Sequence, residues 1–301
     1  MNNYYECCSL CPRNCSINRN EGKIGYCGTS GEIKVARAAL HMWEEPCISG
    51  NEGSGAVFFS GCQLKCVFCQ NYKIADGSIG EILSVEELTD VFFRLKEIGA
   101  NNINLVTGDH YIPLIADSIR LAKKRGFDLP FVYNTSSYVK VESLKMLDGL
   151  IDVYLPDYKY SSDELAERYS RAKDYPKVAR DAIKEMARQQ GRCAFDDRGM
   201  IKKGVIVRHM LLPGELMDSK KCIEYLYNTY GNNIYISIMS QYTPVNNIGK
   251  MYPELGERVK KKSYNKLVDY AVSLGVTQGF YQDNKVAEES FIPDFEKMKI
   301  V

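Results

Sequence analysis

The feature that most constrains this chain is a short loop in which Cys62, Cys66 and Cys69 follow one another with C-x3-C-x2-C spacing. The loop comes directly after an apolar run at 56–59. Cysteine thiolates hold iron–sulfur clusters, and a four-iron cubane normally takes four of them. A zinc site would need a fourth cysteine or histidine nearby, and none follows Cys69 before His110. The spacing therefore favours a four-iron cluster with one open iron over a zinc knuckle or three unrelated thiols.

This spacing, with the aromatic Phe68 just before the third cysteine, resembles the signature of the radical S-adenosylmethionine (SAM) superfamily. In that superfamily, the amino and carboxylate groups of SAM chelate the open iron. One electron from the reduced cluster then breaks a carbon–sulfur bond and releases a 5′-deoxyadenosyl radical. The cofactors supply this chemistry, while the protein supplies geometry and excludes water. The resemblance implies an enzyme in which Cys62, Cys66 and Cys69 ligate a catalytic [4Fe-4S] cluster.

The bulk properties of the chain agree with an intracellular enzyme. Its 301 residues, 45% of them apolar, suffice for two average domains or one α/β barrel. The formal charge is +1 and no long basic run occurs outside 260–262, which argues against an extended nucleic-acid footprint. The N-terminus has no apolar signal segment, and no run of about 18 apolar residues suggests a membrane span. Nine of the 11 cysteines precede residue 70 with metal-site spacings, so we expect a reduced, cytoplasmic protein.

A second group of cysteines lies in residues 1–30, where little apolar material is available to order the chain. Four of them are spaced so that they could close one thiolate site: Cys8, Cys11, Cys15 and Cys27. Glycines flanking the last of these permit the tight turn that such a site needs. A short segment without a core usually needs a metal to be ordered. Zinc and an iron–sulfur cluster both fit, free thiols are the alternative, and Cys7 and Cys47 are spare ligands.

The stretch 33–55 reads as a loop-rich connector. We therefore predict a cysteine-rich extension with its connector over 1–55 and a catalytic domain over 56–301. His41 lies in the connector and is a candidate ligand for the cluster or substrate, although a lone histidine more often has a structural role.

Strand-like and helical patterns alternate after the cluster loop. The predicted strands are 57–59, 103–106, 131–133, 151–155, 205–210 and 234–239. The predicted helices are 85–98, which begins at a capping box, 112–125, 141–148, 161–190, 217–230 and 263–274. Such alternation predicts a parallel sheet with right-handed crossovers. Six units are too few for an eight-stranded barrel, so we predict an open, partial (β/α)6 barrel with a turn-rich insertion at 193–203.

Polar residues follow most of these strands, at the barrel end where chemistry collects. The sets are Thr107-Gly108-Asp109-His110, Asn134-Thr135-Ser136-Ser137, Asp157-Tyr158-Lys159, Arg208-His209 and Gln241-Tyr242-Thr243-Pro244. Together with the segments 8–15, 45–50 and 59–62, they resemble the pyruvate formate-lyase activating enzymes. The closer resemblance is to an activase-like branch that carries an N-terminal cysteine segment.

The resemblance implies a role for each strand end. The cofactor-binding positions are Thr107, Gly108, Asp109, Asn134, Thr135, Asp157, Lys159, Arg208 and Gln241. The segment 107–109 matches a Gly-Gly-Glu element whose backbone meets the methionyl amine and carboxylate, and here only the central glycine is kept. The positions that match ligands of a monovalent cation are Asn134, Thr135, Asp157 and the carbonyl of Leu155. Lys159 and Arg208 are candidates to contact a cofactor or substrate carboxylate, Arg208 through a bidentate fork.

These observations favour a radical SAM oxidoreductase that abstracts hydrogen, possible substrates being a glycyl radical enzyme or another protein or peptide. An electron donor such as flavodoxin or ferredoxin is expected. One alternative is radical modification of a small molecule or peptide, with the N-terminal site as electron relay or anchor. A non-catalytic iron–sulfur redox protein is the alternative of another class, and it would not need the polar strand ends.

Overall fold

The computed structural model describes residues 3–281 together with residues 295, 300 and 301. Strands and helices alternate through most of this part of the chain. The strands are β1 (Ile33–His41), β2 (Ser54–Phe59), β3 (Glu81–Leu83), β4 (Ile103–Val106), β5 (Phe131–Thr135), β6 (Val153–Pro156), β7 (Ala194–Phe195), β8 (Ile201–Met210), β9 (Tyr235–Met239) and β10 (Gly279–Tyr281). The α-helices are α1 (Pro46–Ser49), α2 (Tyr72–Ala75), α3 (Val85–Glu97), α4 (Ile112–Lys124), α5 (Val141–Leu144), α6 (Asp163–Ser170), α7 (Tyr175–Gln190), α8 (Leu216–Tyr230) and α9 (Lys261–Leu274).

The strands form one mostly parallel sheet. Its order is β10-β9-β8-β6-β5-β4-β2-β1-β3, and all neighbours from β10 to β2 are parallel. At the other edge β1 is antiparallel to β2, and β3 is antiparallel to β1. The predicted α/β class and open partial barrel are confirmed. β10 is an additional parallel strand that was not predicted, because its three residues are too few to show a pattern.

The prediction of a loop-rich connector at 33–55 is wrong, because this stretch contains β1 and α1. β1 escaped recognition because three of its nine residues are alanines, which are depleted in strands. It is nevertheless paired with β2 along most of its length, from Val35 opposite Phe59 to His41 opposite Ser54. The domain division at residue 55 stays a prediction, although β1 and β2 join the two sides of it in one sheet.

The stretches 161–190 and 193–203 also differ from the prediction. The single helix expected over 161–190 is two helices, α6 and α7. Arg171 ends α6 with a left-handed φ of +49°, and Pro176 lies in the first turn of α7. The insertion expected at 193–203 contains β7, which pairs antiparallel with the start of β8.

The longer helices cover one face of the sheet with their apolar sides. The predicted capping box of α3 is confirmed, since Ser84 Oγ accepts from the Glu87 N–H at 3.1 Å and the Glu87 carboxylate accepts from the Ser84 N–H at 2.8 Å. The cap orients α3 so that Val91, Phe92 and Leu95 are fully buried against the sheet. None of the helices in the described part of the chain is long and apolar enough to cross a bilayer.

The opposite face of the sheet is filled only in part. Cys47 and Ile48 of α1 pack there with Val132, Val153 and Leu155 in a separate apolar cluster. The next positions of the same strands on that face are polar. A cavity therefore remains at the carboxyl ends of the strands, above the apolar cluster.

Candidate active site

A cavity of about 600 Å³ lies at the carboxyl ends of the parallel strands. All three cysteines of the C-x3-C-x2-C loop line it. The strand-end residues that were predicted to bind the cofactor and do line it are Thr107, Asn134, Asp157, Lys159, Arg208 and Gln241. The structure thus brings the cluster loop and most of the predicted polar set to one space.

The cluster loop begins where β2 ends and is shaped by a tight backbone contact. Gly61 has a left-handed φ of +86°, and a Cβ on it would lie 2.5 Å from the carbonyl oxygen of Cys27. Only glycine fits this close approach. The next residue, Cys62, donates its N–H to the same Cys27 oxygen at 3.0 Å. The catalytic loop is therefore in direct backbone contact with the N-terminal cysteine segment.

The three loop thiols are buried, and burial raises the pKa of each. Burial, followed by the charge of neighbouring Cys66, raises the pKa of the Cys62 thiol to about 11. Burial and the charges of both other cysteines raise the pKa of Cys69 to about 12. Thiols at these values are protonated at neutral pH, so binding of iron must release their protons.

Donor groups around the same sulfur atoms complete the setting. The hydroxyl of Ser170 donates to Cys66 Sγ at 3.1 Å, and the N–H of Leu64 lies 3.4 Å from Cys62 Sγ. Hydrogen bonds to sulfur are a means of tuning cluster potentials. Three thiols on one loop, with such donors and an adjoining cavity, fit a four-iron cluster that has three protein ligands and would supply one open iron for SAM.

A buried charged network forms the wall of the cavity, with Arg208 at its centre. Its Nε donates to Asp157 Oδ1 at 3.0 Å, its Nη1 to Glu44 Oε2 at 3.1 Å, and its Nη2 to Asn134 Oδ1 at 2.7 Å. Lys159 Nζ donates to the second oxygen of Asp157 at 2.7 Å. Although burial alone would raise it, the charges of Arg208 and Lys159 hold the pKa of Asp157 below its ordinary value.

The contacts of this network bear on two of the predicted roles. The monovalent cation was predicted at Asn134, Thr135, Asp157 and the carbonyl of Leu155. In the structure Asn134 and Asp157 accept hydrogen bonds from the guanidinium of Arg208, and the cation site stays a prediction. Each of the three guanidinium nitrogens of Arg208 donates a hydrogen bond to another side chain of the protein. The guanidinium is therefore not free to bind a cofactor carboxylate through two parallel hydrogen bonds. Lys159 remains the better candidate for that carboxylate, because it lines the cavity with only Asp157 as a recorded hydrogen-bond acceptor among the described residues.

Three predicted cofactor-binding residues lie outside the cavity lining. Asp109 is fully buried, and its carboxylate accepts from the side chains of Gln63, Tyr133 and Thr135. The side chains of Asp109 and Thr135 therefore connect the cluster loop to β5 and do not line the cavity. A Cβ on Gly108 would lie 2.4 Å from Ile115, so this glycine allows close packing of the turn. Its backbone role stays a prediction.

The segment after β1, to which the sequence had assigned no role, forms another side of the cavity. Its cavity-lining members are Met42, Trp43, Glu44, Glu45 and Pro46. Burial raises the pKa of Glu45, and its Oε2 has no hydrogen-bond partner in the described structure. The adjacent pair of carboxylates before a proline was the available signal, but no role was assigned to it. His41 also lines the cavity, and burial with nearby Arg37 and Arg208 lowers its pKa to about 4.

The predicted N-terminal ligands lie near one another. Burial, followed by the charges of Cys27, Cys8 and Cys15, raises the pKa of Cys11 to about 12. The N–H of Tyr26 lies 3.4 Å from Cys15 Sγ. Among the described residues, however, no three His, Cys, Asp or Glu side chains converge as a formed metal site, and this holds for both cysteine sets.

The two spare cysteines lie apart from one another. Cys7 is exposed, and its thiol lies 3.9 Å from the carbonyl of Ser16. Cys47 is buried in the apolar cluster of α1, beside Glu45 and Cys193. This position does not support Cys47 as a substitute ligand of the N-terminal set.

Comparison with known families identifies the class of the chain. Residues 56–226, more than half of its length, match the radical SAM superfamily. The chain belongs to this superfamily and is a radical SAM enzyme, which confirms the general reaction, the [4Fe-4S] cluster and SAM as predicted. The activase-like branch stays a prediction.

Individual relatives are similar over different shares of the chain. The uncharacterized protein MJ0674 of Methanocaldococcus jannaschii is 28% identical over 281 residues, which cover 89% of this chain and 75% of that protein. The uncharacterized protein MJ0808 of the same organism is 26% identical over 173 residues, 52% of this chain and 50% of that protein.

Two solved structures match part of the chain at low identity. The FeFe-hydrogenase maturase HydG from Carboxydothermus hydrogenoformans matches with a TM-score of 0.45 and 14% identity, over 77% of this chain and 58% of that one. Streptococcus suis SuiB bound to S-adenosylmethionine matches with a TM-score of 0.47 and 10% identity, over 73% and 47%. The chain thus spans less than two thirds of either solved protein.

Proposed function

We propose that this radical SAM enzyme abstracts a hydrogen atom from a glycine or another residue of a protein or peptide. The observation that carries the proposal is the cavity, in which the cluster loop forms one side and the Arg208 network another. Cys62, Cys66 and Cys69 would hold the cluster. When bound, the cluster supplies the electron that cleaves SAM. Lys159 would hold the methionyl carboxylate, and the surrounding side chains exclude water from the radical.

The exposed large side chains at the edge of the cavity support an extended substrate. Three large side chains line it and are also exposed to solvent: Trp43 at 58%, Met42 at 41% and Tyr281 at 40%. Such a rim can hold the flanking residues of a peptide while one residue enters the cavity. The net charge of +1 gives no counterion-release contribution that would favour nucleic acid. An electron donor of the flavodoxin or ferredoxin type belongs to the same proposal, because the cluster must be reduced before each SAM cleavage.

The test uses electron paramagnetic resonance on the reduced enzyme mixed anaerobically with SAM and candidate glycyl radical partners. We expect the doublet of a glycyl radical with one partner. When that partner contains deuterated glycine, the 5′-deoxyadenosine formed should carry one deuterium. The matched control is the enzyme in which Cys62, Cys66 and Cys69 are alanine. If every partner lacks the doublet and deuterium moves instead from a small metabolite into 5′-deoxyadenosine, the small-molecule alternative replaces this proposal.

We also propose that Cys8, Cys11, Cys15 and Cys27 bind a second metal, either zinc or an iron–sulfur cluster. The burial of Cys8, Cys11 and Cys27, the proximity of all four thiols and the N–H donor at Cys15 support this. Metal analysis should use anaerobically prepared protein without Cys62, Cys66 and Cys69, in which only the N-terminal metal remains. We expect about one zinc or about four irons per chain, and loss of that metal when Cys8 and Cys11 are also replaced. Folded protein that binds neither metal would contradict the proposal.

A further inference from the structure

A buried guanidinium lies directly beside the N-terminal thiols. Arg19 is 1% exposed, and its Nη1 lies 3.8 Å from Cys8 Sγ. Its other recorded acceptors in the described structure are the carbonyls of Ser30 and His110, at 3.1 and 2.8 Å, and the hydroxyl of Thr29, at 3.2 Å. None of these groups is a carboxylate.

A buried charge without an anionic partner is strongly unfavourable. The ring of Tyr5, whose centroid is 4.5 Å from the guanidinium carbon, offsets only part of that penalty. The thiols nearby are the groups that can supply negative charge without a carboxylate, and a bound metal keeps them deprotonated. Four thiolates on one divalent metal carry a net charge of about −2. A metal-loaded site would therefore give Arg19 the counter-charge that the described contacts lack.

The same segment holds the catalytic loop at two points. Cys27 accepts the N–H of Cys62 at 3.0 Å. Arg13, which lies between the second and third N-terminal cysteines, donates from Nε to the carbonyl of Gln63 at 2.9 Å and from Nη2 to that of Ser170 at 3.1 Å. Ser170 in turn donates to Cys66 Sγ. The conformation of the N-terminal segment thus sets the position of two catalytic cysteines.

We infer that the four N-terminal thiolates and their metal form an ion pair with buried Arg19, and that this metal centre positions the catalytic loop through Cys27 and Arg13. The inference rests on the second metal proposed above. Arg19 is then a positioning residue for the N-terminal metal centre. The metal centre in turn holds the catalytic loop, and with it the ligands of the catalytic cluster, in place. The inference requires no electron transfer between the two sites.

The first experiment measures N-terminal metal in the full chain lacking Cys62, Cys66 and Cys69. We expect Arg19→Met to weaken binding of that metal at least about tenfold, as loss of an outer-shell partner does elsewhere. Arg19→Lys, which keeps the charge, should retain most of the metal. The matched control is Arg180→Met, because Arg180 also stacks on a tyrosine, with its guanidinium carbon 4.4 Å from the Tyr225 ring centroid. Circular dichroism of each variant establishes that it is folded.

The second experiment tests the coupling in protein that keeps the catalytic cysteines. Replacing Cys8 and Cys11 by serine should change the electron paramagnetic resonance spectrum of the reduced catalytic cluster with SAM, and should reduce 5′-deoxyadenosine formation about tenfold or more. An unchanged spectrum and rate would overturn the coupling. If Arg19→Met binds the N-terminal metal as tightly as its parent protein does, the proposed ion pair between Arg19 and the thiolates is wrong. A parent protein without N-terminal metal would overturn this inference and the second metal, but would leave the hydrogen-abstraction proposal standing.

Discussion

Replacement of Cys62, Cys66 and Cys69 by alanine should reduce 5′-deoxyadenosine formation to the uncatalysed background. Each of the three thiols lines the cavity, and the remaining iron has to stay open for SAM. Among the described residues that line the cavity there is no other cysteine that could hold the cluster once these three are replaced. The measurement is chromatographic quantification of 5′-deoxyadenosine after anaerobic incubation with SAM and a strong reductant.

The control for this experiment is Cys193→Ala, which removes a thiol that does not line the cavity. That variant should keep the wild-type rate and the wild-type iron at the catalytic site. Iron content and the absorbance of the cluster should fall in the triple variant in parallel with activity. If the folded triple variant forms as much 5′-deoxyadenosine as wild type, these cysteines do not hold the catalytic cluster. The cavity is then not the active site.

The catalytic loop could be predicted from the sequence because its information is local. Three cysteines within eight residues fix which sulfur atoms can share one cluster, whatever the rest of the fold. The alternation of parallel strands with helices could likewise be predicted from short apolar runs in the sequence. The strand predicted at 103–106, for example, has the bounds of β4. β1 could not be recognised in this way. Its alanine-rich sequence gains its strand structure from pairing with β2, which is a tertiary contact.

The roles of the strand-end side chains were harder to predict, because they depend on partners far away in the chain. Asp109 reads as a cofactor contact beside Gly108, yet Gln63, Tyr133 and Thr135 surround its carboxylate inside the protein. Glu44 is 164 residues from Arg208, the arginine that it pairs with. The positions of such residues in the sequence could suggest that they lie at the same end of the barrel. They could not show which residues would form hydrogen bonds or ion pairs with each other.

Replacement of Arg208 by leucine should lower the free energy of unfolding by about 3–5 kcal/mol, as removal of one partner from a buried ion pair does. The side chain of Arg208 is 14% exposed, and those of its partners Asp157 and Glu44 are 16% and 9% exposed. With leucine at position 208, the carboxylates of Asp157 and Glu44 lose the guanidinium that they share. Asp157 still forms its ion pair with Lys159. Urea denaturation measures the loss. Adding Glu44→Gln to the leucine variant should recover part of it, because one orphaned charge is then removed.

The control and the pH dependence separate this effect from ordinary loss of a side chain. Arg198→Leu removes an arginine whose side chain is 58% exposed, and its exposed ion pairs should contribute no more than about 1 kcal/mol. Because Arg208 and Lys159 hold the folded-state pKa of Asp157 below its ordinary value of 3.8, the stabilisation from ionised Asp157 is present above pH 3.8 and is lost as the pH falls further. The difference in stability between wild type and the Arg208→Leu variant should therefore narrow below pH 3.8. A constant difference at all pH values, or a loss no larger than that of Arg198→Leu, would show that the network does not stabilise the cavity wall.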